Sequence, residues 1–353
     1  MRFFITIICT LILFTFPEKF GLIEDALSEN TSERAEEIVS EANSEATQSI
    51  VFIAGFDEGD NVYYKKATEY FESQNLKVVK NLYSLEEIIV CLNEHYNGKD
   101  YDEIQIVSHS NAWRGMSLST TQNGDRITAE TLKFDSEEKT LPKINKGITS
   151  KTKIIFHSCG LGNNEVLLKQ LKNVFSSEEH PTVIASPYFN IFGGKYAPHY
   201  LAKPYYGYYP TAESSGPLAI SKEFKKNYPN EKIDWQNALE TRSETRFGEV
   251  YTFKFNIPVD WEIIFDSSEH IPQLKDKDAI MDFVSENEAM SKAIYDLEIP
   301  IEKFRWRSSI EGKTLYIKGK TTVLCVLQPI LNSLDSNEYA KALIGDDTIY
   351  NSL

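Results

Sequence analysis

Between residues 49 and 186 the chain alternates short strand-like runs built around apolar and β-branched residues with segments of helical spacing. The runs are 49–55 (SIVFIAG), 76–79, 103–108 (EIQIVS), 151–156 (KTKIIF) and 182–186 (TVIAS). The first, an apolar run closed by Gly55, has no solvent face, so it reads as a buried strand of the kind found in parallel sheets covered on both sides. The intervening segments read as helices. Residues 63–74 put Tyr64, Ala67, Tyr70 and Phe71 on one face, Ser84 and Glu87 have capping-box spacing at the head of 84–96, and 164–175 is amphipathic. This succession predicts an α/β domain, a three-layer αβα sandwich around a mostly parallel sheet. Such sheets carry their sites outside the carboxyl ends of the strands. There stand Gly55-Phe56-Asp57, Ser108-His109-Ser110-Asn111, His157-Ser158-Cys159-Gly160 and Ser186-Pro187-Tyr188.

The flanks differ in character. Arg2 precedes an unbroken apolar run at residues 3–16, the layout of a signal peptide over 1–16, with an uncleaved membrane anchor as the competing reading. The expected location is therefore secreted or periplasmic, with a membrane reached only through that anchor. Residues 17–48 hold nine acidic residues against Lys19 and Arg34 and read as a solvated linker. The sandwich is expected over 49–203, followed by a C-terminal α+β region over 204–353. In that region 204–210 (PYYGYYP) reads as an aromatic loop, and strands are expected at 250–257, 261–265, 314–318 and 321–327. A helix is expected over 276–297.

Two strand ends carry reactive side chains. His109 follows EIQIVS, and Cys159 follows KIIFHS with Gly160 and Gly162 behind it. A thiol becomes a nucleophile when a base takes its proton, and imidazole is the base suited to neutral pH. Neighbouring parallel strands would bring both side chains to one rim. Glycine after the cysteine permits a tight turn whose N–H groups can face a developing oxyanion. A helix starting near Asn163-Asn164 would aim its positive end at the sulfur.

Residues of about 49–200 resemble the caspase-like cysteine peptidases of clan CD, in a bacterial form. That group includes caspases, gingipains, separases and the self-cleaving domains of large bacterial toxins. The matching pieces are a strand ending in His (IVSHSNAWRGMSL), a loop and helix (GDRITAETL), and a strand ending in Cys (KIIFHSCGLGNN). His109 and Cys159 are 50 residues apart, close to the spacing of about 50 in caspases. The resemblance implies Cys159 as nucleophile, His109 as acid/base, and an oxyanion hole from the backbone N–H groups of Ser110, Cys159 and Gly160. It implies peptide or protein substrates, acyl-enzyme chemistry and no cofactor. Two positions depart from the pattern: Ser110 stands where the family has Gly, and Ser158 where Ala is common.

Other readings compete. Ser108-His109-Ser110-Asn111-Ala112 resembles the nucleophile elbow of serine α/β-hydrolases, with Ser110 as nucleophile, but an elbow must launch a helix and NAWRGMSLST reads as loop or hairpin. A non-catalytic binding module on the same fold is the third class. His109, His157 and Cys159 could together bind zinc, although their spacing matches no standard finger. Cys91 and Cys325 sit in apolar patterns and read as inert. His95, His180, His199 and His270 read as surface residues. With Lys+Arg 37 against Asp+Glu 52 the formal charge is −15, which disfavours nucleic acid as a partner.

Overall fold

The computed structural model describes residues 48–111, 113, 115–332, 338–341 and 344–353. The expected leader and nearly all of the acidic segment lie outside the described residues. Among the described residues no helix is long and apolar enough to cross a membrane.

The first half of the chain runs β1 (Gln48–Ala54), α1 (Val62–Ser73), β2 (Lys77–Leu82), α2 (Leu85–His95) and β3 (Tyr101–Val107). A small hairpin follows, β4 (Ser110–Asn111) and β5 (Gly115–Met116), then α3 (Ala129–Glu137), β6 (Lys153–His157), α4 (Glu165–Phe175) and β7 (Thr182–Ala185). The second half comprises β8 (Phe189–Phe192), β9 (His199–Pro210), α5 (Pro217–Asn227), α6 (Trp235–Glu240) and β10 (Tyr251–Ile264). It continues through α7 (Lys277–Glu286), α8 (Glu288–Asp296), β11 (Arg305–Glu311), β12 (Thr314–Pro329) and β13 (Asn351–Ser352).

The apolar runs assemble as expected. The first sheet has the order β13-β7-β6-β3-β1-β2, with β2, β1, β3, β6 and β7 mutually parallel and β13 antiparallel at the edge. Alternate residues of each strand enter different cores. Ile50, Phe52 and Ala54 of β1 join α2, α3 and α4 on one face, while Val51 and Ile53 face α1 on the other. The helix starts are fixed by side chains. Ser84 Oγ accepts the Glu87 N–H at 3.2 Å while Glu87 Oε2 accepts the Ser84 N–H at 2.9 Å, a complete capping box. Asn61 and Asn164 cap α1 and α4.

The chain is thus a mixed α/β protein with a mostly parallel sheet. Its second covering layer differs from the expected helical one. Among the described residues α1 is the one helix on that face; Phe192 of β8 completes the core beside it, and Leu201 of β9 covers Ile155 and Ile184. A second sheet therefore replaces the missing helices.

That second sheet is antiparallel, in the order β10-β12-β9-β8 with β11 also on β12. Several expected elements merge. The strands expected at 250–257 and 261–265 are one strand, β10, which passes through Pro258 at a sheet edge. Those expected at 314–318 and 321–327 are the single strand β12. They meet at Gly319, where an added Cβ would lie 2.6 Å from Trp306 Cζ3, so only glycine lets Trp306 cross the strand. The helix expected over 276–297 breaks into α7 and α8 at Asn287, whose side chain caps the second.

The aromatic loop expected at 204–210 is a strand, part of β9 paired to β12. The Tyr206 N–H and carbonyl both bond the Tyr228 hydroxyl, so they point away from β12. Pro204 and Pro210 share that parity, and the ladder asks no N–H of them. Finally, β9 runs across residues 203 and 204, and β13 returns to pair with β7 of the first sheet.

Candidate active site at the sheet's switch point

In the order β2-β1-β3-β6-β7 the connection reverses direction between β1 and β3, where open α/β sheets form a crevice outside the strand ends. β3 and β6 are neighbours with Val107 opposite His157. His109 and Cys159 therefore stand at the same offset, two residues beyond a paired position, on adjacent strands. Ser110 Oγ donates to the Cys159 carbonyl at 2.7 Å and fastens the two loops together.

His109 is held from the β1 side. The Asn61 side chain accepts the Tyr63 N–H at 3.0 Å through Oδ1, which turns its Nδ2 toward His109 Nε2, also at 3.0 Å. An amide N–H donates, so Nε2 is the acceptor and the ring proton sits on Nδ1, an assignment inferred from this network. The His109 N–H donates to the Tyr64 hydroxyl at 3.0 Å, and that hydroxyl donates to Asp57 Oδ1 at 2.8 Å. Tyr63 stacks on the imidazole with ring centroids 4.3 Å apart. Burial lowers the His109 pKa; the Asp57 carboxylate pulls it upward and the Arg126 guanidinium adds to the lowering. Of these, Asp57 stands in a strand-end segment evident in the sequence. Asn61 caps α1 in the structure, and nothing in the sequence tied it to a histidine 48 residues away.

Cys159 is 8% exposed and packs with Phe189 and Cys325, with Tyr206 and Phe255 at the margin of the same cluster. Its thiol donates to the Asn190 carbonyl at 3.8 Å, and burial pushes its pKa up to about 12. No hydrogen bond joins His109 to Cys159 among the described residues; the resting pair is a neutral imidazole and a neutral thiol.

The three expected oxyanion donors divide. The Gly160 N–H is spent on the Tyr188 carbonyl at 3.1 Å, because φ of +71° turns that peptide toward the 186–188 loop. This corrects the expectation for Gly160. Met116 N–H bonds Ile127 and Ser117 N–H bonds His109, so Ser110 and Met116 form a pair that exchanges no hydrogen bonds, and the Ser110 N–H faces away from β5. Among the described residues neither the Ser110 nor the Cys159 N–H donates to a protein acceptor.

The remaining histidines depart from expectation at one position. His199 is not a surface residue: its ring stacks on Phe192 at 4.5 Å, its Nε2 meets Asn190 Oδ1 at 3.1 Å, and burial lowers its pKa to about 3. His157 lies 5.7 Å from it, ring to ring, with Nε2 on Gln105 Oε1 at 2.8 Å and a pKa lowered by burial to about 4. Nδ1 of His157 is buried without a partner. Among the described residues no group of three or more His, Cys, Asp or Glu side chains converges as metal ligands, so His109, His157 and Cys159 do not form the zinc set considered above. Ser110 opens a two-residue strand rather than a helix, and α3 begins only at Ala129.

No protein-family model and no curated protein matches the chain.

Proposed function

We propose that the protein is an exported, caspase-like cysteine endopeptidase with Cys159 as nucleophile and His109 as acid/base. The observation that carries this reading is the common offset of the two residues past Val107 and His157 on adjacent parallel strands, tied across by Ser110 and Cys159. Export rests on the apolar run at residues 3–16.

In the reaction the Cys159 sulfur attacks the peptide carbonyl carbon while its proton passes to the His109 imidazole, whose one basic nitrogen, Nε2, must first leave the Asn61 N–H. The carbonyl oxygen becomes an oxyanion, for which the Ser110 and Cys159 N–H groups are the available donors. Collapse breaks the C–N bond, His109 gives its proton to the leaving amine, and a thioester remains on Cys159. Water, deprotonated by His109, then releases the acid and restores the thiol.

The serine hydrolase reading has less support, since the Ser110 hydroxyl is committed to the Cys159 carbonyl and no helix follows it. The binding-module reading draws on the neutral resting pair. Cleavage of a peptide library, read by mass spectrometry, separates the three. Expected is cutting by the wild type that falls at least about a thousandfold in both Cys159→Ala and His109→Ala, the scale of removing a catalytic unit. Cutting that survives Cys159→Ala overturns the assignment, and peptides retained but never cut favour the module.

A further inference from the structure

The second sheet presents a shaped apolar surface beside the nucleophile. Directly opposed residues of an antiparallel sheet share a face, so Tyr206, Cys325 and Phe253 form one row across β9, β12 and β10, and Tyr208, Val323 and Phe255 form the next. Aromatic rims on β9 and β10 thus flank a floor of two small side chains, Cys325 and Val323, both fully buried. The first row meets Cys159, which shares a cluster with Cys325, Tyr206 and Phe255. The second row is filled by Trp113, whose ring lies 4.9 Å from Tyr206, 6.2 Å from Tyr208 and 5.6 Å from Phe255. Trp113 itself is half-buried and comes from the loop that carries His109, where its N–H is held by Asn111 Oδ1 at 3.1 Å.

We infer that this trough is a subsite for a large aromatic side chain flanking the scissile bond, and that Trp113 fills it at rest as an internal stand-in. The inference rests on Cys159 being the reactive residue. Three features carry it. Among the described residues the six side chains of the two rows offer aromatic faces, one thiol and one valine, and none of them carries a charge to pair an acidic or basic substrate residue that would be desolvated there. The trough has the width of one ring, because a single indole touches both rims at once. It is continuous with the residue that would form the acyl bond. A substrate ring entering the second row must displace Trp113, and with it the segment two residues beyond Asn111 that adjoins His109 and Ser110.

The test uses the full chain with three peptidyl chloromethyl ketones that differ only in bearing Phe, Asp or Arg beside the reactive group. Adduct at Cys159 is followed by mass spectrometry in wild type and Trp113→Ala, with thermal melts confirming that the variant folds. Expected is labelling by the Phe reagent about tenfold faster than by the others, and a further rise of several-fold with that reagent alone in Trp113→Ala. Equal rates for the three reagents, or a Phe rate that Trp113→Ala leaves unchanged, overturns the subsite while leaving the cysteine peptidase reading intact. Should no reagent label Cys159, that reading fails, and the trough is judged by calorimetric titration of Ala-Phe-Ala-amide and Ala-Asp-Ala-amide into Trp113→Ala. Selective binding of the Phe peptide supports the trough, and its absence refutes it.

Discussion

The adjacent imidazoles of His157, buried, and His199, half-buried, predict that the fold weakens in mild acid by an amount the structure sets. Both imidazoles are neutral in the folded protein, with pKa values lowered by burial from 6.5 to about 4 and about 3. In the unfolded chain both titrate near 6.5, so below that pH the unfolded state binds more protons and stability falls as pH falls. Since about pH 5 lies above both folded values, the cost there is set by how far the pH sits below 6.5. It comes to about 2 kcal/mol for each ring, or about 4 kcal/mol together, relative to about pH 8. That is a large share of the roughly 5–15 kcal/mol that holds a typical domain together. Among the described residues neither ring has a carboxylate partner to offset the charge; Gln105, Asn190, Phe71, Phe192 and Tyr70 lie against them. Urea unfolding followed by tryptophan fluorescence at about pH 8, 6.5 and 5 measures the loss. His199→Gln keeps a donor for Asn190 Oδ1 and removes one titration, so its drop between about pH 8 and 5 is expected to be about 2 kcal/mol smaller. A wild type equally stable at the two pH values, or a variant that loses as much as the wild type, refutes the reasoning.

Other outcomes follow from single contacts. Ser84→Ala removes one half of the capping box at α2 and should lower unfolding free energy by about 1 kcal/mol, read as a shift in urea midpoint at constant slope. Asn61→Asp keeps the cap on Tyr63 but sets a carboxylate where the amide donated to His109. The His109 pKa should rise in an NMR titration, because the new carboxylate favours the imidazolium, and Cys159 labelling should quicken. Ser110→Ala loses the 2.7 Å bond to the Cys159 carbonyl and should slow peptide cleavage by no more than about tenfold, the worth of one hydrogen bond. Loss of all activity in Ser110→Ala, with Cys159→Ala still active, would make the serine the nucleophile.

The first half of the chain was legible because its physics is local. A strand buried on both faces writes itself as an unbroken apolar run, and Ser84 and Glu87 announce a helix start with side chains that the structure bonds to each other. The rim positions of His109 and Cys159 follow from that strand order. The rest depended on contacts distant in sequence. His199 sits beside Pro198 and Tyr200 in a stretch with no clear period, and it is half-buried because β8 folds back on β9 beneath α1. The tyrosines and prolines of 204–210 look like a loop until β12, more than a hundred residues later, supplies a partner for alternate N–H groups. Gly160 showed the need for a tight turn but not its direction, which the 186–188 loop decides by accepting the freed N–H.

The same burial that builds this crevice sets how its chemistry can begin. Moving the Cys159 proton to His109 at rest runs uphill, because burial pushes the thiol up to about 12 and lowers the imidazole below its ordinary value. The resting protein therefore holds almost no thiolate–imidazolium pair, and a small alkylating agent has only the neutral thiol to meet. A bound peptide changes the balance by placing a carbonyl against the sulfur and its oxygen near the Ser110 and Cys159 N–H groups, so that charge appears where donors already stand. Iodoacetamide should accordingly label Cys159 slowly at neutral pH, with a rate that climbs through about pH 9 and shows no plateau, while a peptidyl ketone labels it quickly at the same pH. A labelling rate for iodoacetamide that levels off near neutrality would mean the ion pair exists without substrate, and the neutral resting site derived from the burial of Cys159 would be wrong.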